Sequence, residues 1–247
     1  PSEFKEDHIY NALNFPVLYN NQREQVGKLY KNTSNFQAKI IGASLISKNI
    51  SNHIMNEFIN NKGNWMPLIY CWRGGKRSQS LATTLSEIGW RVAVLHGGYK
   101  QYRNEIILGI EKISSNLNFI VISGSTGTAK TKILQEIKNK GGQVLDLEKL
   151  ARHKGSLLGK SKDTEQPSQK FFETSLYVEL KNIPNKLQYV FVESESSKIG
   201  KINLPSGLIK KIKLSPTIEI NASINERVNF LVKDYAVLII EKDFFKP

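Results

Sequence analysis

Phe119-Ile120-Val121-Ile122 runs straight into Ser123-Gly124-Ser125-Thr126-Gly127-Thr128-Ala129-Lys130-Thr131, and this stretch decides the fold. Four consecutive apolar residues, mostly β-branched, read as a buried strand. Small residues follow, and then Ile133, Leu134 and Ile137 recur at helical spacing. A strand, a glycine-bearing loop and a helix in this order nearly match G-x-x-x-x-G-K-[ST], a phosphate-binding pattern. Backbone amides of such a loop wrap a phosphate, the lysine reaches its outer oxygens, and the hydroxyl can hold Mg²⁺. Here those roles fall to Lys130 and Thr131, within a loop of Gly124, Ser125, Thr126, Gly127, Thr128 and Ala129. Ala129 stands where the pattern has glycine, and its methyl would crowd the phosphate or strain the backbone.

Such a loop needs carboxylates at the end of a later strand. Tyr189-Val190-Phe191-Val192-Glu193 supplies one, with Glu195 two residues on and on the same side of an extended chain. Asp146 and Glu148 form a second acidic pair, and Arg152, His153 and Lys154 follow as a basic cluster. Phosphate contact and simple solvation are both open to that cluster. Further strands are expected at 143–147, 188–192 and 216–220, and helices at 131–139, 168–180 and 224–235. Ser223 and Glu226 form a capping-box pattern. Residues 155–167 read as a polar loop.

The first half carries its own reactive feature. Cys71, the one cysteine of the chain, follows Met66-Pro67-Leu68-Ile69-Tyr70 and opens Cys71-Trp72-Arg73-Gly74-Gly75-Lys76-Arg77-Ser78. This puts a sulfur at a strand end, on a glycine loop facing a helix N-terminus. Loop amides, the helix dipole, Arg73, Lys76 and Arg77 would favour a thiolate or a bound anion. Trp72 suits either stacking on a base or packing beside the strand. Helical spacing appears at 44–61, 78–88 and 99–113, and a strand at 91–95 precedes His96-Gly97-Gly98. Alternating strands and helices of this kind make an α/β protein with parallel sheets. The pattern pauses over 114–118, which divides the chain into domains 1–114 and 115–247.

The formal charge of +13 on 247 residues points to a polyanionic partner such as nucleic acid. No apolar run is long enough for a membrane-spanning helix, and no secretory leader is visible at the start. A single cysteine suits a reducing cytoplasm. The chain opens at Pro1 rather than methionine, so residues before it are expected.

Glu3-Phe4, His8-Ile9 and Ala12-Leu13-Asn14-Phe15-Pro16, with the Cys71–Ser78 loop and Leu95-His96-Gly97-Gly98-Tyr99, resemble rhodanese domains. That resemblance implies one further strand before Pro1. The whole set of motifs is similar to the tRNA 2-selenouridine synthase family. It adds Asp146-Leu147-Glu148, His153-Lys154-Gly155-Ser156, Gln166-Pro167-Ser168-Gln169, Glu193-Ser194-Glu195-Ser196 and Ile199-Gly200. Ser197 and Lys198 stand near where members often carry arginine. The resemblance implies a rhodanese-like parallel-sheet domain followed by a P-loop NTPase-like α/β domain. It further implies conversion of wobble 2-thiouridine to 2-selenouridine with selenophosphate, by way of S-geranylation with geranyl diphosphate. Cys71 would handle the chalcogen, and residues 72–78 would cradle selenophosphate. Residues 124–131 would bind the diphosphate with Mg²⁺ near Thr131, supported by Asp146, Arg152, His153, Glu193 and Glu195. The implied partners are tRNA at its anticodon region and a selenophosphate-producing enzyme, with no membrane. Two other readings are a sulfurtransferase fused to an ATP-dependent kinase or NTPase, and a non-catalytic RNA-binding scaffold.

Overall fold

The computed structural model describes residues 2–153, 165–184 and 189–234. The chain forms two compact units, residues 1–106 and 107–247.

In the first unit, helix α1 (Ser2–Glu6) precedes α2 (Asn20–Asn32) and α3 (Asn35–His53), and α3 ends in a π-helical turn, Ile54–Phe58. Strand β1 (Leu68–Ile69), helix α4 (Lys76–Glu87) and strand β2 (Ala93–Val94) follow, and helix α5 (Gly98–Asn116) begins here. Strands β1 and β2 pair in parallel, Leu68 with Ala93 and Ile69 with Val94. The helix expected over 44–61 starts nine residues earlier, at Asn35, because Ser34 caps it by accepting from the Phe36 and Gln37 amides. Its mixed polar and apolar first turns hid that start. Helix α2 was not expected: it buries no residue, so no apolar stripe marks it.

The core of this unit gathers Val17, Ile50, Phe58, Ile69, Leu81 and Leu85. Leu81, Ala82 and Leu85 are the inward face of α4, and Trp65 and Trp90 pack against the cluster at its edge. Burial of each such side chain contributes about 1.5–3 kcal/mol.

The second unit runs through strand β3 (Asn118–Ser123), helix α6 (Lys130–Asn139), strand β4 (Gln143–Leu145), helix α7 (Leu147–Ala151) and helix α8 (Gln169–Asn182). Strand β5 (Tyr189–Glu193), the hairpin β6 (Lys198–Ile199) and β7 (Ile202–Asn203), helix α9 (Ser206–Lys213), strand β8 (Thr217–Glu219) and helix α10 (Ile224–Asp234) complete it. Four strands form one parallel sheet in the order β4-β5-β3-β8. Phe119, Val121, Leu145, Val190 and Val192 are buried along it. The connection from β3 to β4 passes over β5, so the strand order reverses at β3. Ligands of open α/β sheets bind beyond the carboxyl ends of the strands at such a point.

Three local expectations change. The strand expected over 143–147 stops at Leu145, because the Asp146 carboxylate accepts from the Lys149 amide and starts α7. The pause expected over 114–118 is helical as far as Asn116. There the Ser114 and Ser115 hydroxyls donate back to the Ile110 and Lys112 carbonyls, which keeps polar residues in the helix. Helix α9 and the β6–β7 hairpin were not foreseen. Of the loop expected over 155–167, residues 165–167 carry no regular structure and 155–164 lie outside the described residues, as do Gln188 and Tyr235.

Candidate functional sites

In the first unit the chain leaves β1 at Ile69 and turns through residues 71–75 into α4, whose N-cap is Gly75. Gly74 takes a left-handed φ of 64°. This turn brings the Gly75 amide to 3.2 Å from Cys71 Sγ, where it donates, and the Ser78 hydroxyl to 3.2 Å on another side. The loop is held from behind by the start of α5. The Tyr99 and Lys100 amides donate to the Cys71 and Trp72 carbonyls at 2.9 and 3.0 Å. Gly98 has φ 59°, and a Cβ there would overlap the Cys71 carbonyl and the Gly74 amide.

Cys71 is half-buried, and burial raises its thiol pKa. Hydrogen bonds from the Ser78 hydroxyl and from the Ser78, Arg73 and Gly75 backbone outweigh this, and the thiol lies below its ordinary value.

The cations of this loop do not act alike. Arg73 and Lys76 are exposed. Arg77 instead donates to Glu3 at 3.2 Å, and Glu3 also pairs with Arg23 at 2.9 Å. Glu3, which precedes Arg77 by 74 residues, was not foreseen as a partner. Trp72 stacks on Tyr99 with ring centroids 4.8 Å apart, so one of its faces is covered by protein.

In the second unit the loop between β3 and α6 carries Gly124 at φ 155° and Gly127 at φ 90°. Ala129, the N-cap of α6, sits at φ 60° and ψ 28°. A non-glycine residue there is strained, which is the backbone cost its methyl led one to expect. Lys130 Nζ donates to the Gly124 carbonyl at 2.9 Å and lies 3.5 Å from Glu193. The Thr131 hydroxyl donates to Glu193 at 3.2 Å. Within the loop, Thr128 Oγ1 donates to the Ser125 carbonyl at 2.9 Å, and Arg227 of α10 holds the Thr126 carbonyl at 2.9 Å. Sequence reasoning missed Arg227, which follows Thr126 by 101 residues.

Glu193 and Glu195 do converge, and Glu148 joins them: one carboxylate oxygen from each lies within 4.8 Å of the other two. Burial, followed by the Glu148 and Glu193 charges, pushes Glu195 up to about 8. Burial raises Glu193 as well, against the pull of Lys130 and the Thr131 hydrogen bond. Three crowded carboxylates beside a threonine hydroxyl form a hard oxygen donor set that fits Mg²⁺.

Asp146 serves as the α7 cap, and its charge also reaches Glu193 and Glu195. Arg152 is exposed and ends α7 in a left-handed turn at φ 50°. The His153 amide donates to the Glu148 carbonyl, while its Nδ1 is buried without a partner among the described residues. Lys154, Gly155 and Ser156 lie outside those residues. The Gln166–Gln169 motif is a strap. Gln166 donates to the Ala151 and Ile199 carbonyls and accepts from the Lys201 amide. Gln169 bridges both backbone groups of Asn203. The hairpin just after Glu195 is thereby fixed.

Residues 1–105 match the rhodanese-like domain family, and residues 117–246 match the family described as the tRNA 2-selenouridine synthase AAA domain. Similar proteins include tRNA 2-selenouridine synthase of Nitrosomonas eutropha, 35% identical over 242 residues, which cover 96% of this chain and 61% of that one. The protein of that name from Nitrosomonas europaea is 33% identical, with 95% of this chain and 61% of that one covered. For Bdellovibrio bacteriovorus the identity is 35%, with 95% and 62% covered. The chain thus spans about three fifths of the length of these curated relatives. With a thiol loop in a rhodanese-like unit, a phosphate loop on a parallel sheet and these matches along the chain, it belongs to the tRNA 2-selenouridine synthase AAA domain family.

Proposed function

We propose that this chain modifies tRNA, replacing the sulfur of a wobble 2-thiouridine by selenium in two transfers. The observation that carries the reading is the Cys71 sulfur, held by the Gly75 amide and the Ser78 hydroxyl, in a chain that also builds a lysine-bearing phosphate loop.

In the first transfer the thiouridine sulfur attacks C1 of geranyl diphosphate. A C–S bond forms, the C1–O bond breaks, diphosphate leaves, and the uridine N3 proton is released. The loop of residues 124–131 binds the diphosphate, with Lys130 moving from the Gly124 carbonyl and Glu193 to the outer oxygens. Mg²⁺ held by Thr131, Glu193, Glu195 and Glu148 would neutralise charge on the departing diphosphate.

In the second transfer the selenium of selenophosphate adds at uridine C2 and expels the sulfur as geranyl thiolate, which takes up a proton; water then attacks phosphorus, the P–Se bond breaks, and phosphate leaves the selenium on uridine. An alkylated sulfur leaves more readily than the sulfur of a thiocarbonyl. Cys71 directs the selenium to C2 without a covalent bond to it, and its loop amides with Arg73 and Lys76 receive the phosphate. The +13 charge draws tRNA to the protein. A cytoplasmic enzyme that makes selenophosphate supplies the donor.

The test is mass spectrometry of tRNA nucleosides after incubation with geranyl diphosphate and then selenophosphate. Wild type should give S-geranyl-2-thiouridine and then 2-selenouridine. Cys71→Ser should stop at the geranylated nucleoside, and Lys130→Ala should make neither. Full selenouridine yield from Cys71→Ser refutes the role of the thiol.

A further inference from the structure

The phosphate loop has unlike flanks. Strand β3 feeds it, with β5 on one side and β8 on the other. The β5 side is acidic: Glu193 ends that strand, with Glu195 and Glu148 beside it. The β8 side carries a cation. The chain leaving β8 lies directly on the loop, where the Ile220 amide donates to the Ser123 carbonyl at 2.7 Å. A Cβ on Gly124 would stand 2.6 Å from the Ile220 carbonyl oxygen. Helix α10 starts at Ile224 and sets Arg227 on the loop, its Nε donating to the Thr126 carbonyl at 2.9 Å. The helix backbone comes equally close, since a Cβ on Gly127 would meet the Arg227 carbonyl oxygen at 2.9 Å.

That bond uses one of the several N–H donors of the guanidinium. Among the described residues Arg227 has no other hydrogen bond and no ion pair, although it is partly buried. Its neighbour Glu226 is turned to the helix cap, where it accepts from the Ser223 amide and hydroxyl. The other cations near the loop are engaged. Lys132 Nζ lies over the Phe230 ring at 4.8 Å, and Lys130 shares its charge with Glu193 at 3.5 Å. Mg²⁺ on the β5 side would be matched by the carboxylates that hold it. A diphosphate brings more negative charge than Lys130 alone offsets, and those same carboxylates repel it. A guanidinium anchored to the loop on the far side supplies the missing charge.

We propose that Arg227 is a second cation for the diphosphate. Lys130 and the loop amides hold one phosphoryl group, and the remaining donors of Arg227 take the oxygens of the other. The assignment rests on the two-transfer reading above and names the residue of that site that reads the second phosphoryl group. The guanidinium is planar and always charged, so anchoring Nε fixes where its other donors point.

The test uses the full chain and calorimetry with geranyl diphosphate, geranyl monophosphate and inorganic diphosphate. Arg227→Gln keeps a donor for the Thr126 carbonyl and removes the charge. It should weaken both diphosphates at least about tenfold and geranyl monophosphate less than about threefold. Arg227→Lys keeps the charge and should lose less than Arg227→Gln. Equal losses for all three ligands would make Arg227 a brace of the loop and overturn the proposal. So would a lysine variant no better than the glutamine one, or diphosphate binding unchanged in Arg227→Gln.

Inorganic diphosphate separates this idea from the reading beneath it. A wild type that gains nothing from the geranyl chain, yet loses inorganic diphosphate in Arg227→Gln, refutes geranyl diphosphate as the substrate and keeps the role of Arg227. Geranylation of tRNA with the same KM for geranyl diphosphate in wild type and Arg227→Gln overturns that role and leaves the transfer chemistry standing.

Discussion

Ser78→Ala should make Cys71 a weaker nucleophile at neutral pH. Its hydroxyl lies 3.2 Å from the sulfur and 3.0 Å from the Gly75 carbonyl. When the sulfur is a thiolate the hydroxyl donates to it, and a hydrogen bond to a charged group is worth about 1.5–3 kcal/mol. Cys71 is only half-buried, so solvent screens part of this and the lower end applies, about 1.4 kcal/mol or one pKa unit. The Gly75 amide bond to the sulfur remains, so the thiol stays reactive rather than inert. Because Cys71 is the chain's one cysteine, iodoacetamide labelling reads it alone. The rate against pH should rise through a midpoint below that of an ordinary thiol in the wild type, and about one unit higher in Ser78→Ala. Below both midpoints the variant should react more slowly, because fewer of its sulfurs are thiolate and the gain in intrinsic nucleophilicity offsets only part of that loss. The folded protein holds the thiolate better than the unfolded chain does. The stability this contributes is therefore present above the unfolded thiol pKa and is lost as pH falls through the lower folded one. Identical midpoints in the two proteins, with the far-UV spectra unchanged, would refute the reasoning.

Other outcomes follow from the same geometry. Ala129→Gly removes a side chain from a left-handed position and should raise stability by about 1 kcal/mol, moving Tm up about 2–4 °C in a thermal melt; a lower Tm would contradict the strain. Gly98→Ala drives a Cβ into the Cys71 carbonyl and the Gly74 amide, so it should lower Tm by more than about 4 °C and slow labelling of Cys71. Lys130→Ala should reduce geranyl diphosphate affinity by at least about tenfold in calorimetry, from loss of a charge-assisted contact. Tight ATP binding with robust turnover and no geranyl diphosphate affinity in the wild type would favour a nucleotide hydrolase instead. tRNA affinity should fall steeply and linearly on a logarithmic salt axis, and a flat response would speak against binding through the basic surface.

Much of the second unit is legible in the sequence alone. Apolar runs at 119–122 and 189–192 mark buried parallel strands because both sheet faces are covered. The glycines at 124 and 127 mark the turn because its backbone needs positive φ. What escaped were the elements whose stability comes from partners. Helix α7 exists because Asp146 caps it, although the same residues read as strand continuation. The β6–β7 hairpin is two residues per strand and depends on the amide side chains of Gln166 and Gln169. Helix α2 buries nothing and so carries no period to detect.

By itself the sequence determined the two local devices, the sulfur on its loop ahead of α4 and the phosphate loop ahead of α6. Both follow from strand, glycine and helix signals within about a dozen residues, where backbone sterics and hydrogen bonding act. Only the tertiary structure decided how the charges are spent. It turned Arg77 onto Glu3, brought Glu148 to Glu193 and Glu195, and set Arg227 on the phosphate loop. Those outcomes depend on which distant side chains meet when the core closes, and chain-local propensity carries no record of that.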